Sequence, residues 1–511
     1  MSDAFLEDAS HYPGGHAAGV VFPQSAGEVA EVLAGATQVL PIGAQSSLTG
    51  GGTPMGELVL ATSRMTRVVE LSATHVTVEA GLTVAAMQEH LAAAGAWFPP
   101  APTFTGACAG GIVSTNAAGA ATFKYGSTRA WVDGLVVVLA DGTILDVKRG
   151  ARAARDGRLS LDTRSGRISI PVPSYPMPAV AKRSAGYHAA PDMDLIDLFI
   201  GAEGTLGVVT EVTFRIVSPA PQASLAMIPC GSEAVALDLV GRLRDASRET
   251  WRTRDPAGID AAAIENMDRR SIAILREDGA DTRNHVNFPA GTAVALLVQL
   301  ELPPETTAAD AYDQIERALW EDAPDTPLVR FCRLLDDCGL LDATELALPG
   351  DRRREDELVA IREAVPAGVN RRVGSAQRDV DARIEKTAAD MIVPDARFAE
   401  MMAIYRRGFE ARGLDYAVWG HISDGNVHPN VIPRSFDDVV RGRAAILEFG
   451  REVARLGGCP LAEHGVGRSP VKQALLRQLY GDAGIEEMRA VKRALDPGWK
   501  LSPGVIFGAQ P

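Results

Sequence analysis

From about Gly19 the chain alternates stretches of helical apolar period with short runs of strand length. Residues 25–34 read as a helix capped by Ser25, and residues 38–42 as a short strand. Strands are predicted at 58–61, 68–70 and 75–79, followed by a helix at 84–94. Residues 135–139 and 143–147 read as a hairpin, because Asp141-Gly142 is a strong two-residue turn. A strand at 208–216 precedes Pro219 and Pro221, where a domain boundary is expected. Beyond it, 261–274 reads as a helix, 293–302 as a strand and 308–319 as a helix. After the Pro349-Gly350 break, 351–363 is predicted helical, as are 444–456 and 489–496. The chain carries no internal repeat.

At 511 residues the chain is too long for one ordinary core, so two or three domains are expected. A hydrophobic fraction of 46% with 23% charged residues is that of a soluble globular protein. The net charge of −14 argues against a nucleic-acid-binding surface, which would be basic. Five cysteines without CxxC spacing favour reduced thiols over a disulfide framework or an iron–sulfur cluster. The acidic start lacks the features of a secretory signal, and no apolar run reaches transmembrane length. Cytoplasmic location is the resulting expectation.

Three glycine clusters lie in the first 210 residues, at 43–54, 105–122 and 201–207. Glycines let a backbone approach a ligand and aim N–H groups at phosphate oxygens, although each cluster alone also suits a plain turn. None fits the Rossmann fingerprint or carries a Walker lysine, so a dinucleotide held here needs another fold type.

Three of the nine histidines fall within a short C-terminal window. His421 and His428 flank the Gly425-Asn426 turn, and His464 follows Glu463 directly. Two imidazoles and one carboxylate are the ligand set of an open metal site. On one strand Glu463 and His464 would point to opposite faces, so both serve one site only if Gly465 and Gly467 mark a loop.

Six motifs in order carry a resemblance to a known family: PIGAQSSLTGG from Pro41, GGIVSTNAAGAATFKYG from Gly110, and LFIGAEGTLGVVTEV from Leu198. GHISDGNVHPN from Gly420, EHGVG from Glu463 and RALDPGWKLSPG from Arg493 complete the set. Together they resemble the FAD-linked oxidases of the vanillyl-alcohol oxidase superfamily, in the branch of D-lactate, glycolate and D-2-hydroxyglutarate dehydrogenases.

The resemblance implies an α+β chain. A two-lobed FAD-binding domain (15–218) would be joined by an α+β substrate domain (222–440) and a helical C-terminal segment (441–511) closing the flavin site. It implies noncovalent FAD, since His11, His16, His75 and His90 match no tethering histidine. Pro41, Gly43, Ala44, Gln45, Ser46, Ser47 and Thr49 would wrap the pyrophosphate. Gly110, Gly111, Ser114, Asn116 and Gly119 would line the isoalloxazine and ribityl region, Glu203 and Gly204 would meet the adenosine ribose, and Val209 would also touch the cofactor.

The chain departs from the family at Ile42, Ala44 and Gln45, where an arginine and glycines are common, and at Ser502, where asparagine is common. The implied reaction is oxidation of a D-2-hydroxy acid to the 2-oxo acid. His421, His428 and Glu463 would hold a divalent metal (zinc, with manganese or iron as alternatives) and His464 would be the base. Arg362, Lys386 and Asn430 would bind the substrate carboxylate.

Electrons would pass to a quinone, cytochrome, electron-transfer flavoprotein or iron–sulfur subunit, and a homodimer is compatible with the chain. Two other classes stay open: a flavin-binding subunit of a larger oxidase, and a non-redox enzyme like the alkyl-dihydroxyacetone-phosphate synthases. The latter share the FAD domain but lack the GHxxDGNxH pairing.

Overall fold

A computed structural model describes residues 3–100 and 102–508; the first two and last three residues of the chain lie outside it. The chain divides into two compact units. One comprises Met1–Gly119, Gly126–Ser218 and Val453–Pro511; the other comprises Ala120–Tyr125 and Pro219–Glu452.

In the first unit, Gly19–Val21, Leu58–Ala61 and Val39–Ile42 form a three-stranded parallel sheet with Leu58–Ala61 in the middle. The helix Ala26–Gly35 begins where the Ser25 hydroxyl accepts the Glu28 N–H at 3.2 Å. Its buried face of Val29, Ala30 and Leu33 packs with Val39, Leu60, Val138 and Val208.

A five-stranded antiparallel sheet follows, in the order Val68–Leu71, His75–Glu79, Val208–Arg215, Val132–Val138, Ile144–Lys148. The expected hairpin at Asp141-Gly142 joins its last two strands, with Gly142 at φ +79°. The C-terminal helix Pro470–Leu495 extends far upstream of the expected 489–496 and kinks at Gly481. Lys492, fully buried, ends it by bonding Asp496, the Thr205 carbonyl and the Leu501 carbonyl at 2.6–2.7 Å.

The second unit is built on one eight-stranded antiparallel sheet. Its centre runs Gln222–Cys230, Val294–Leu302, Ala261–Asp268, Tyr416–His421, Asn426–Val431. Here the reading of 261–274 as one helix is corrected. Ala261–Asp268 is a strand and only Arg269–Glu277 is helical. Alanines gave the stretch helical propensity, but the strand is buried on both faces between two neighbours, and tertiary pairing overrides propensity. Asp268 marks the switch, accepting the Ser271 N–H at 2.8 Å as the helix cap.

The predicted 351–363 helix runs from Arg352 to Asp379 despite Pro366 inside it. Packing of Leu358, Ile361, Val365 and Val369 against the sheet offsets the lost backbone bond. Among the described residues, no disulfide joins any of the five cysteines. Among the described residues, no helix is long and apolar enough to cross a membrane.

Candidate functional site

In the first unit the glycine clusters converge through backbone contacts. The loop after Val39–Ile42 is folded by Gln45, which sits at φ +50° and donates its amide to the Gly52 and Phe5 carbonyls at 3.0 and 3.2 Å. Asp8, buried, accepts the Gly52 N–H at 3.1 Å, and Ala9 donates to the Gln45 carbonyl. The departure at Gln45 therefore anchors an N-terminal segment against the loop. Ser47 and Thr49 share a hydroxyl contact at 3.1 Å, and the Thr49 carbonyl accepts the N–H groups of Arg468 and Ser469.

In the short helix Ala109–Ser114, a Cβ on Gly110 would lie 2.8 Å from the Ala80 Cβ, so this glycine serves helix–strand packing. A Cβ on Gly111 would meet nothing within 4 Å. Ser114 donates its hydroxyl to the Gly110 carbonyl, and Asn116, at φ +48°, accepts the Arg129 N–H. Gly204, at φ +70°, approaches Pro41 so closely that a Cβ would sit 2.9 Å from its ring. Val209 is buried in the central strand Val208–Arg215. Polar side chains here largely brace the scaffold, leaving open space at Gly111. That arrangement fits a dinucleotide cradled by backbone.

Glu203 shows the same economy. At φ +51°, it accepts the N–H groups of Val466 and Gly467, each at 2.8 Å. Burial pushes its carboxyl up to about 7 despite those two bonds, which favour the charged form. Glu203 thereby fixes residues 463–467, which form no strand; Gly465 and Gly467 turn them at φ +75° and +57°. This meets the condition set by the sequence, and the His464 Nε2 lies 3.6 Å from Glu463 Oε1. Lys182, fully buried, places its Nζ 3.1 Å from the other Glu463 oxygen. No motif pointed to Lys182, since a lone lysine gives no periodic signal.

In the second unit, Tyr416–His421 and Asn426–Val431 pair as a hairpin in which Trp419 faces His428 and His421 faces Asn426. Glu265 faces His421 across the next strand pair. Glu265, His421, His428 and Asn430 thus share one sheet face, since directly opposed residues and alternate residues do. The two imidazoles are buried, their rings 5.6 Å apart and perpendicular, with coordinating nitrogens within 4.8 Å of one another.

Each ring is backed by a carboxylate. His421 Nδ1 is 3.0 Å from Glu265, and His428 Nδ1 is 3.5 Å from Asp390, which also accepts the Asn426 amide at 3.0 Å. A carboxylate at Nδ1 directs coordination to Nε2, the usual backing of metal-bound imidazole, so the pair fits a divalent ion. Asn430 donates to the His428 carbonyl and keeps a buried amide oxygen without a hydrogen-bond partner among the described residues.

The helix Arg352–Asp379 covers this face, and its Arg362 is buried with Nε 3.2 Å from Glu265. Lys386 immediately precedes Thr387–Ala388, the strand that pairs with Asn426–Val431 at Val431 and Asn430. Glu265 and Asp390 were missed from sequence, where an isolated acid in an apolar run carries no signal.

Comparison with known proteins places the sequence among known families. Residues 17–148 match the FAD binding domain family, and residues 232–506 match the FAD linked oxidases, C-terminal domain. The glycolate oxidase subunit GlcD of Bacillus subtilis is 27% identical over 500 residues, covering 96% of this chain and 88% of the relative. A D-2-hydroxyglutarate dehydrogenase of Xanthomonas citri is 26% identical over 96% of this chain and 89% of its own length. A D-lactate dehydrogenase of Archaeoglobus fulgidus is 27% identical over 95% and 90%. Among solved structures, an alkyldihydroxyacetonephosphate synthase superposes with a TM-score of 0.56 at 14% identity, covering 95% of this chain and 76% of that one; this likeness concerns the fold.

Proposed function

The chain belongs to the FAD-linked oxidases, in the D-lactate, glycolate and D-2-hydroxyglutarate dehydrogenase branch of the vanillyl-alcohol oxidase superfamily. On that premise we propose that it oxidises a D-2-hydroxy acid to the 2-oxo acid with noncovalent FAD and a divalent metal. The observation that carries this reading is the buried His421–His428 pair with a carboxylate at each Nδ1. Buried imidazoles braced in this way suit a Lewis-acid site better than a plain turn.

Bound FAD would supply a hydride acceptor, and a bound divalent ion a Lewis acid that lowers the pKa of the substrate hydroxyl. His421, His428 and Glu463 are assigned to hold the ion. An imidazole nitrogen of His464 takes the hydroxyl proton as general base. Arg362, Lys386 and the Asn430 amide hold the substrate carboxylate and fix the face of C2. The substrate thus loses one proton and one hydride, and the two electrons leave to a separate acceptor.

A second reading, a flavin-bearing subunit that acts only inside a larger oxidase, is favoured by the word subunit in the name of the Bacillus subtilis relative. One assay separates the two: dye reduction by the purified, metal-replete chain across a panel of D- and L-2-hydroxy acids. D-selective reduction supports the first reading. No reduction by any member, with flavin bound, contradicts it.

A further inference from the structure

Glu265 occupies a position no motif pointed to. It lies in the centre of the second unit's sheet, nearly buried, directly opposite His421 in the strand register. One carboxylate oxygen is 3.0 Å from His421 Nδ1, and the other is 3.2 Å from Arg362 Nε. A single carboxylate therefore stands between a histidine assigned to the metal and an arginine assigned to the substrate carboxylate.

We propose that Glu265 is a positioning residue that sets both subsites at once, turning His421 Nε2 toward the ion and the Arg362 Nη atoms toward the substrate carboxylate. This rests on the metal-assisted reading above and deepens it.

The chemistry follows from the donor inventory. A carboxylate at Nδ1 fixes the ring orientation and raises the basicity of Nε2 as a ligand. With Nε directed to Glu265, the terminal fork of the guanidinium is presented for bidentate pairing with a carboxylate. Both contacts are close but off the ideal hydrogen-bond angle. Asp390 differs in kind: it backs His428 and is itself held by the Asn426 amide, so its loss touches one imidazole and no substrate cation.

The test uses the full-length flavoprotein stripped of metal and titrated with Zn²⁺ alone, followed by steady-state kinetics at saturating metal. Glu265→Gln, nearly isosteric, weakens Zn²⁺ binding roughly 10–100-fold. It also raises KM for the D-2-hydroxy acid roughly tenfold, the effect of losing one charge-assisted contact. Arg362→Gln raises KM alike but leaves Zn²⁺ affinity near wild type.

Because Glu265→Gln leaves a buried guanidinium unpaired and could destabilise the fold, the double variant Glu265→Gln/Arg362→Gln is measured too. Its melting temperature recovers while Zn²⁺ affinity stays weak, which a merely structural role for Glu265 would not give. Wild-type Zn²⁺ affinity in either Glu265 variant overturns the inference alone. Absence of Zn²⁺ binding by the wild-type protein sinks the metal reading and this inference with it.

Discussion

The two units build their candidate subsites from opposite materials. In the first, segments around Gly43, Gly110, Gly204 and Gly467 are brought together by backbone turns, and side chains such as Gln45, Asn116 and Glu203 are used as internal braces. In the second, a regular sheet presents His421, His428 and Asn430 from one face, and the proposed function rests on side chains backed by Glu265 and Asp390. A backbone cradle is broken by adding a methyl group. A side-chain constellation is broken by removing one.

That contrast orders the expected outcomes. His428→Ala is expected to strip the metal and abolish turnover, while the flavin spectrum of the first unit stays intact; metal analysis beside an absorbance spectrum checks both. His464→Ala should keep flavin and metal yet slow flavin reduction roughly 10²–10⁴-fold, the usual weight of general-base catalysis. Metal loss parallel to that of Glu463→Ala would instead make His464 a ligand.

Smaller effects probe the cradle through stability. Glu203 has its folded carboxyl raised to about 7, above the ordinary value near 4.5. Between those limits the folded state binds the extra proton, so stability is greatest below about pH 4.5 and falls as pH rises toward 7. The loss amounts to at most roughly 3 kcal/mol. Melting of the flavin-free protein across this window should therefore slope downward, and Glu203→Gln should flatten the slope.

Gly204→Ala forces a side chain into the left-handed region beside Pro41 and should cost about 1–2 kcal/mol in thermal or denaturant unfolding. Gly111→Ala, with open space at its Cβ, should leave unfolding unchanged and weaken FAD alone. A Gly111→Ala protein with normal FAD affinity would show that this space is not the cofactor's.

Local signals were the legible ones. The Ser25 cap and the Asp141-Gly142 hairpin each follow from a few adjacent residues, and the histidine motif announced itself by concentration. What stayed hidden depends on register. Glu265 reaches His421 only because two strands far apart in sequence pair at those residues. The strand Ala261–Asp268 itself was masked by alanines whose helical propensity yields to burial in the sheet centre. Glu203 was legible as a motif residue, but its grip on Val466 and Gly467 is a contact between distant loops that no spacing reveals.

The central claim is that a metal held by side chains activates a D-2-hydroxy acid for oxidation by a flavin held by backbone. Anaerobic stopped-flow reduction of the bound flavin, with metal-replete and chelator-treated protein side by side, addresses it most directly. The account predicts rapid bleaching by the D-acid in the replete protein. After chelation it predicts almost none, with the oxidised flavin spectrum unchanged and the rate restored by adding the ion back. Equal bleaching rates with and without metal would contradict it.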